Sequence, residues 1–331
     1  MIIMFKKILT SHVGSFPLEH SYGNVVKAFK DMVRIGIDMP PFPQMRSFID
    51  MYLKPLEDAG LVRVRKQKYF ANEEVFVEAK IPDVEIEEAT IVSKIAKEMK
   101  VQNLRAPITG PFTLASRIYL TEGGLSATAM ARKELVLSFF KNYVKSVVKK
   151  IISLGYVFIV IDDPMLANVV GKRVILYGYS ADDIIGLYNE IFNEAKDKLT
   201  GIHVCGRLSP KLAEILCEIE RLKVLNHEFK DTRENMNVFT KEMLEKHDKV
   251  LSPGIVSSKN LRVESFKETY ELLKNILNMF GNRVGVVTAD CGFKALKTPE
   301  ITYEEAYATA LRKLKIIVEV VHRVNKELKQ Q

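Results

Sequence analysis

Short β-branched runs alternate with longer amphipathic runs along this chain, and that rhythm restricts the fold more than any other feature. The extended runs fall at 8–13, 34–39, 101–108, 156–161, 201–205, 223–226, 249–251 and 283–288. Between several of them the pattern is helical. Over 127–154, Val136, Phe140, Val144, Val147 and Ile151 recur every three or four residues. Ser209-Pro210 supplies an N-cap and a proline at the first helical position. Eight strands separated by helices read as a parallel (β/α)8 barrel of the TIM type more readily than as an open sheet. The 331 residues fit one such catalytic domain spanning 1–331. One segment departs from the rhythm after strand two. Leu61-Val-Arg-Val-Arg-Lys-Gln-Lys-Tyr-Phe70 alternates apolar and polar residues, and 75–79 is again extended. This predicts an inserted β-hairpin over 61–79 on the barrel mouth, a lid or a docking surface.

Composition excludes several classes. Hydrophobic residues make up 47% and charged residues 27%, which is ordinary for a globular chain and unlike disorder. Apolar runs stay well short of 18 residues, so no membrane span is expected. The opening Met1-Ile2-Ile3-Met4-Phe5-Lys6-Lys7 puts its charge after its apolar residues and is too short for a signal peptide. Lys+Arg exceed Asp+Glu by 49 − 41 = 8. The lysines are scattered on helices, as at Lys141, Lys145, Lys149 and Lys150, without interleaved aromatics, so a solvated surface is expected and no nucleic-acid partner. Two of the three cysteines fit a metal site and one is left over, which points to a reducing cytoplasm rather than disulfides.

In (β/α)8 enzymes the loops at the C-terminal ends of the strands converge on one mouth. Here those ends carry Gly14-Ser15-Phe16-Pro17, Thr109-Gly110-Pro111, Asp162-Asp163-Pro164, His203-Val-Cys205, Glu228 and Asp290-Cys291-Gly292. His203 and Cys205, at i and i+2 on a strand, share a face. Thiolates with an imidazole select Zn²⁺, and a carboxylate completes a tetrahedral set. His203, Cys205, Glu228 and Cys291 are thus the expected zinc ligands. The competing reading makes Cys205 and Cys291 small core residues, which suits Cys217 on its helix better. His227 adjoins Glu228 but faces the opposite way, and His12, His20, His247 and His322 lack partners at ligand spacing. Asp162 and Asp163 could cap a helix, yet a carboxylate facing a metal suits a substrate ammonium group.

Taken together, Gly14-Ser15-Phe16-Pro17, Thr109-Gly110-Pro111, Ile161-Asp162-Asp163-Pro164, His203-Val-Cys205, Glu228 and Asp290-Cys291-Gly292-Phe293-Lys294 resemble the catalytic domain of cobalamin-independent methionine synthases. These belong to the wider uroporphyrinogen decarboxylase-like barrels. The resemblance implies a zinc-dependent methyltransferase that methylates L-homocysteine to L-methionine. It implies zinc on His203, Cys205, Glu228 and Cys291, Asp162 on the homocysteine ammonium, and Ser15 with the backbone of Val13 and Gly14 on its carboxylate. With four protein ligands the shell is closed, so the thiol must displace a ligand, and Glu228 is the one expected to move.

The chain departs from the long, two-barrel enzymes of that family, which take methyl from a folate. Arg117 stands where those enzymes place a folate-stacking tryptophan, and the chain has no Trp. Lys259 stands where they place a proton-relay histidine. The pattern is similar to short archaeal-type core methionine synthases and implies a methylated corrinoid protein or methylcobalamin as donor. The alternatives are methyltetrahydrofolate with a separate partner barrel, and transfer to another thiol such as coenzyme M. A non-catalytic basic protein with a structural zinc is the reading from another class.

Overall fold

A computed structural model describes residues 7–330. Residues 1–6, which include most of the segment weighed above as a leader, lie outside that range. The strands are β1 (Leu9–Thr10), β2 (Arg63–Arg65), β3 (Lys68–Phe70), β4 (Arg105–Thr109), β5 (Ile118–Tyr119), β6 (Phe158–Asp162), β7 (Leu199–Val204), β8 (Val224–Glu228), β9 (Val250–Gly254) and β10 (Val286–Val287). The run β4-β6-β7-β8-β9 forms one parallel sheet, and β1 pairs in parallel with β10. Single parallel bridges complete the circle. Leu251–Val284 and Gly254–Thr288 join β9 to β10, while Ser11–Met39 and Pro41–Arg105 set the segment 39–44 between β1 and β4. Pairing therefore runs round eight staves among the described residues, as the alternating pattern predicted.

The second stave differs from its prediction. Residues 34–35 end the helix Tyr22–Ile35, and Gly36 caps it at φ 96° with its N–H on Met32 and Val33 carbonyls. The stave itself is Met39 to Gln44, where Pro40, Pro41 and Pro43 remove ladder donors. That is why it pairs through isolated bridges and not as a strand. The predicted helix over 127–154 starts only at Lys133, makes a π-turn at Val136–Phe140 and continues as Lys141–Ser153. The five apolar residues that suggested it are all buried.

The hairpin is real but shorter than predicted. β2 and β3 pair antiparallel across Lys66-Gln67, and β3 then pairs in parallel with β5. Residues 75–79 are not a strand. Asn72 accepts the Glu74 N–H and opens a 3-10 turn at Glu73–Phe76, a capping signal stronger than the valines' extended preference.

Alternation along the staves sorts the barrel interior into layers. The floor holds Met39, Phe158, Val224 and Val286, an apolar cluster separate from the main core outside the barrel. Gly201 leaves room there, since a Cβ would press on the Phe158 ring. The middle layer is polar: Arg105 donates to Asn226 (2.9 Å), and Asn226 donates to the Ser252 carbonyl (2.7 Å) and Thr288 Oγ1 (3.0 Å). The top layer holds Asp162, His203 and Glu228. Outside, Lys141, Lys145 and Lys149 pair with Glu190 and Glu194 on the neighbouring helix, as befits a solvated face. Among the described residues, no helix is long and apolar enough to cross a membrane.

Candidate metal centre

β7 presents His203 inward, and Cys205 follows one residue past the strand's end, still on the inward side. The strand end after β10 brings Cys291 to meet them. The ligating atoms of His203, Cys205 and Cys291 all lie within 4.8 Å of one another. His203 Nε2 is 2.9 Å from Cys205 Sγ, which is 3.1 Å from Cys291 Sγ. His203 Nδ1 donates to the Asn226 carbonyl at 3.2 Å, which leaves Nε2 as the lone-pair nitrogen facing the sulfurs. Two soft sulfurs and an oriented imidazole are a donor set that fits zinc. The two thiols share one site, so one ionises at the other's expense. The Cys205 hydrogen bond draws Cys291 down, and Cys291 in turn holds Cys205 up.

Glu228 stands beside this cluster and outside it. Its Oε1 accepts the Gly206 N–H (3.0 Å), and its Oε2 accepts from Thr232 Oγ1 (3.0 Å) and Lys259 Nζ (3.3 Å). The structure therefore brings together three of the four expected ligands and holds the fourth on the N–H of Gly206, the residue after Cys205.

Asp162 and Asp163 part company. Asp163 accepts from the N–H groups of Phe112 (3.1 Å) and Thr113 (2.8 Å), from Thr113 Oγ1 (2.6 Å) and from Tyr188 OH (2.8 Å), so it is a helix cap. Burial raises its pKa to about 6 against those bonds. Asp162 is 7% exposed, and its Oδ1 finds no hydrogen-bond partner among the described residues. Burial pushes it up to about 7, opposed by His203 and Arg105. A buried carboxyl in that condition is prepared for a cationic partner.

Val13, Gly14 and Ser15 follow β1 at the same rim. Gly14 sits at φ 146° with its carbonyl on the Gln44 N–H, and a Cβ there would strike Gln44 and Pro107. Ser15 fits against the Cys291 loop. Its carbonyl accepts the Phe293 N–H (2.8 Å), its Oγ accepts the Lys294 N–H (3.3 Å), and any Cβ on Gly292 would overlap it. Asp290 ties the two ligand loops, accepting N–H bonds from Phe229 (3.0 Å), Lys230 (3.0 Å) and Asp231 (2.7 Å).

Two contacts escape the sequence reading, the Asn226 main-chain carbonyl on His203 and Thr232 on Glu228, while Lys259, marked above at the place of a relay histidine, reaches Glu228. Asn226 had a signal, since it lies on the inward parity of β8 with Glu228. His227 points the other way as expected, its Nδ1 on the Val204 carbonyl (3.2 Å) and its ring stacked on Phe239. His20 belongs to no ligand cluster among the described residues and lies against Glu87 and Glu88 at 3.3 and 3.4 Å.

Comparison with known proteins decides the family. The profile of the cobalamin-independent synthase catalytic domain matches residues 77–312. The chain belongs to that family. It is accordingly a methyltransferase of the methionine-synthase type. Among curated relatives, the methionine synthase of Saccharolobus solfataricus is 26% identical over 321 residues, covering 93% of this chain and 85% of the relative. That of Sulfolobus acidocaldarius is 24% identical, covering 96% and 86%. The fold is shared with a B12-independent methionine synthase from Shewanella sp. W3-18-1 solved with selenomethionine (TM-score 0.72, 15% identity, 98% and 100% covered). It is shared also with a methyltransferase from Methanosarcina mazei (TM-score 0.67, 14% identity, 96% and 94% covered).

Proposed function

We propose that this chain methylates the thiol of L-homocysteine to give L-methionine, using zinc held by His203, Cys205, Cys291 and, in one state of the site, Glu228. The observation that carries the reading is the convergence of two sulfurs and an oriented imidazole in the same barrel layer as Asp162, a buried carboxyl with a free oxygen. A zinc ion bound there would supply a deprotonated substrate thiol at neutral pH, where a free thiol is only a few per cent ionised. The chain's own groups orient it. Asp162 takes the ammonium, while Ser15 and the backbone from Val13 to Gly14 take the carboxylate, so that the sulfur is aimed at an incoming methyl. Asp162 also argues against coenzyme M as acceptor, because a sulfonate thiol brings no ammonium. The free thiols of this site need a reducing compartment, which supports a cytoplasmic setting.

For the donor, the reading is a methylated corrinoid protein or methylcobalamin, approaching over the hairpin. It is supported by the missing tryptophan and by Lys259, not an imidazole, beside the site. A corrinoid releases its methyl without protonation of a leaving nitrogen, so a lysine there costs that chemistry little. The family's description as cobalamin-independent favours the second reading, methyltetrahydrofolate with a partner barrel. Zinc-loaded protein given homocysteine with methylcobalamin or with methyltetrahydrofolate, and assayed for methionine, separates the two. Turnover with the folate alone would reverse the donor preference, and methylation of coenzyme M in preference to homocysteine would overturn the acceptor.

A further inference from the structure

We infer that Lys259 is a positioning residue, one that draws Glu228 off the ligand cluster and so favours the arrangement in which a substrate thiol can bind. The inference rests on the zinc-thiolate reading above. It begins with how Glu228 is held. The residue ends β8, is 1% exposed, and its carboxylate receives three donors. Oε1 is bonded to the N–H next to Cys205, so it borders the cluster, while Oε2 faces Thr232 and Lys259. A buried carboxylate satisfied by two neutral donors and one cation has a stable resting place away from the sulfurs.

Lys259 is equipped to offer that place. Its side chain is 60% exposed, as a lysine requires, yet its backbone is braced. Ser257 Oγ accepts the N–H groups of Lys259 (3.2 Å) and Asn260 (3.1 Å) while donating to Asp231 Oδ2 (2.6 Å). Ser257 N–H donates to Glu264 Oε1 (2.8 Å), and Glu264 pairs with buried Lys313 (2.7 Å). Asp231 N–H in turn is bonded to Asp290, one residue before Cys291. The loop that carries Lys259 is thus tied to the segments that carry Glu228 and Cys291, and only the last part of the side chain is free to swing.

The chemical consequence has two sides. Four protein ligands close a zinc shell, while three leave a position for substrate. A cation waiting for the fourth ligand lowers the free energy of the open arrangement relative to the closed one. It therefore weakens the hold on the metal when substrate is absent and strengthens the binding of a thiol. Loss of Lys259 should move these two quantities in opposite directions, which general damage to the site would not do.

The test uses zinc-loaded wild type, Lys259→Met, which keeps length and loses charge, and Lys259→Arg, which restores charge. Zinc release to a chelating dye gives the first quantity. Homocysteine affinity, read from the absorption of the Co²⁺-substituted protein, gives the second. Lys259→Met should release zinc about three- to ten-fold more slowly and bind homocysteine about three- to ten-fold more weakly, the range set by a half-exposed ion pair. Lys259→Arg should return both towards wild type, and in a Glu228→Gln background the Lys259→Met effects should vanish. Unchanged values in Lys259→Met, or both affinities weakened together, would overturn the inference. Wild-type protein that binds neither zinc nor homocysteine would instead refute the underlying zinc-thiolate reading, which is a distinguishable result.

Discussion

The two sides of the barrel mouth are built on opposite terms. Around β7, β8 and the end of β10, polar groups are buried and multiply engaged: Asp290 collects three N–H bonds, Asn226 joins Arg105 to Ser252 and Thr288, and Glu228 has three donors. On the other side, Arg63, Val64 and Arg65 are all exposed, and Arg63, Arg65, Lys66 and Lys68 form no ion pair with a carboxylate among the described residues. The turn of that hairpin even places Lys66 and Gln67 at φ 46° and 62°, a left-handed conformation that glycine or asparagine adopts more cheaply. The hairpin is anchored by Val62, Tyr69 and its pairing with β5, while its charged side chains are left to solvent. Order is concentrated around the His203–Cys205–Cys291 cluster, and the cationic projection is left in solvent.

The comparison breaks first at Cys291. Cys291→Ala should leave the protein folded but without stoichiometric zinc and without methionine formation, as metal analysis and a product assay would read. Retained metal and activity would show that the ordered side is not the site. Next is acid sensitivity. His227, on the back of β8 from Glu228, is pushed down by burial to about 3, while an unfolded histidine titrates near 6.5. Between those values the unfolded chain binds the extra proton, so the stability this group contributes is full above pH 6.5 and is lost as pH falls towards 3. His227→Phe should therefore lose roughly 2–3 kcal/mol less than wild type between pH 6.5 and 4.5, measured as urea midpoints at each pH. Parallel curves would mean that His227 does not titrate as its burial requires.

Asp162→Asn should weaken homocysteine binding by about 2 kcal/mol, roughly thirty-fold in KM, with zinc content unchanged. An equal loss for a thiol that lacks the ammonium would remove the assigned role. Smallest is the hairpin. Replacing Arg63, Arg65 and Lys68 together by Ala should change stability by no more than about 0.5 kcal/mol per site while lowering turnover with a protein-borne methyl donor. If turnover is unaffected, the exposed side is not where the donor docks.

What the sequence disclosed follows the same division. The barrel was legible because parallel strands and amphipathic helices leave periodic marks, and His203 with Cys205 was legible because a strand sends i and i+2 one way. Glu228 could be placed at the right strand end, but its distance from the cluster depends on Gly206, Thr232 and Lys259, which meet only in three dimensions. Local chemistry misled where two signals competed. The valines at 75 and 77 suggested a strand while Asn72 capped a 3-10 turn, and 34–39 looked extended while Gly36 was ending a helix. The proline-rich stave from Met39 to Gln44 escaped because it forms a barrel wall while lacking most of the hydrogen-bond donors by which walls are recognised.

That stave has a consequence for how the molecule comes into being. The contiguous sheet from β4 to β9 can associate as its strands leave the ribosome, whereas the circle closes only when β10 reaches β1 beside a wall poor in ladder bonds. Cys291 lies just beyond that closing strand, so the cluster with His203 and Cys205 is complete only once the circle has closed, and the sutured seam beside Met39 is where amide exchange should find the earliest openings.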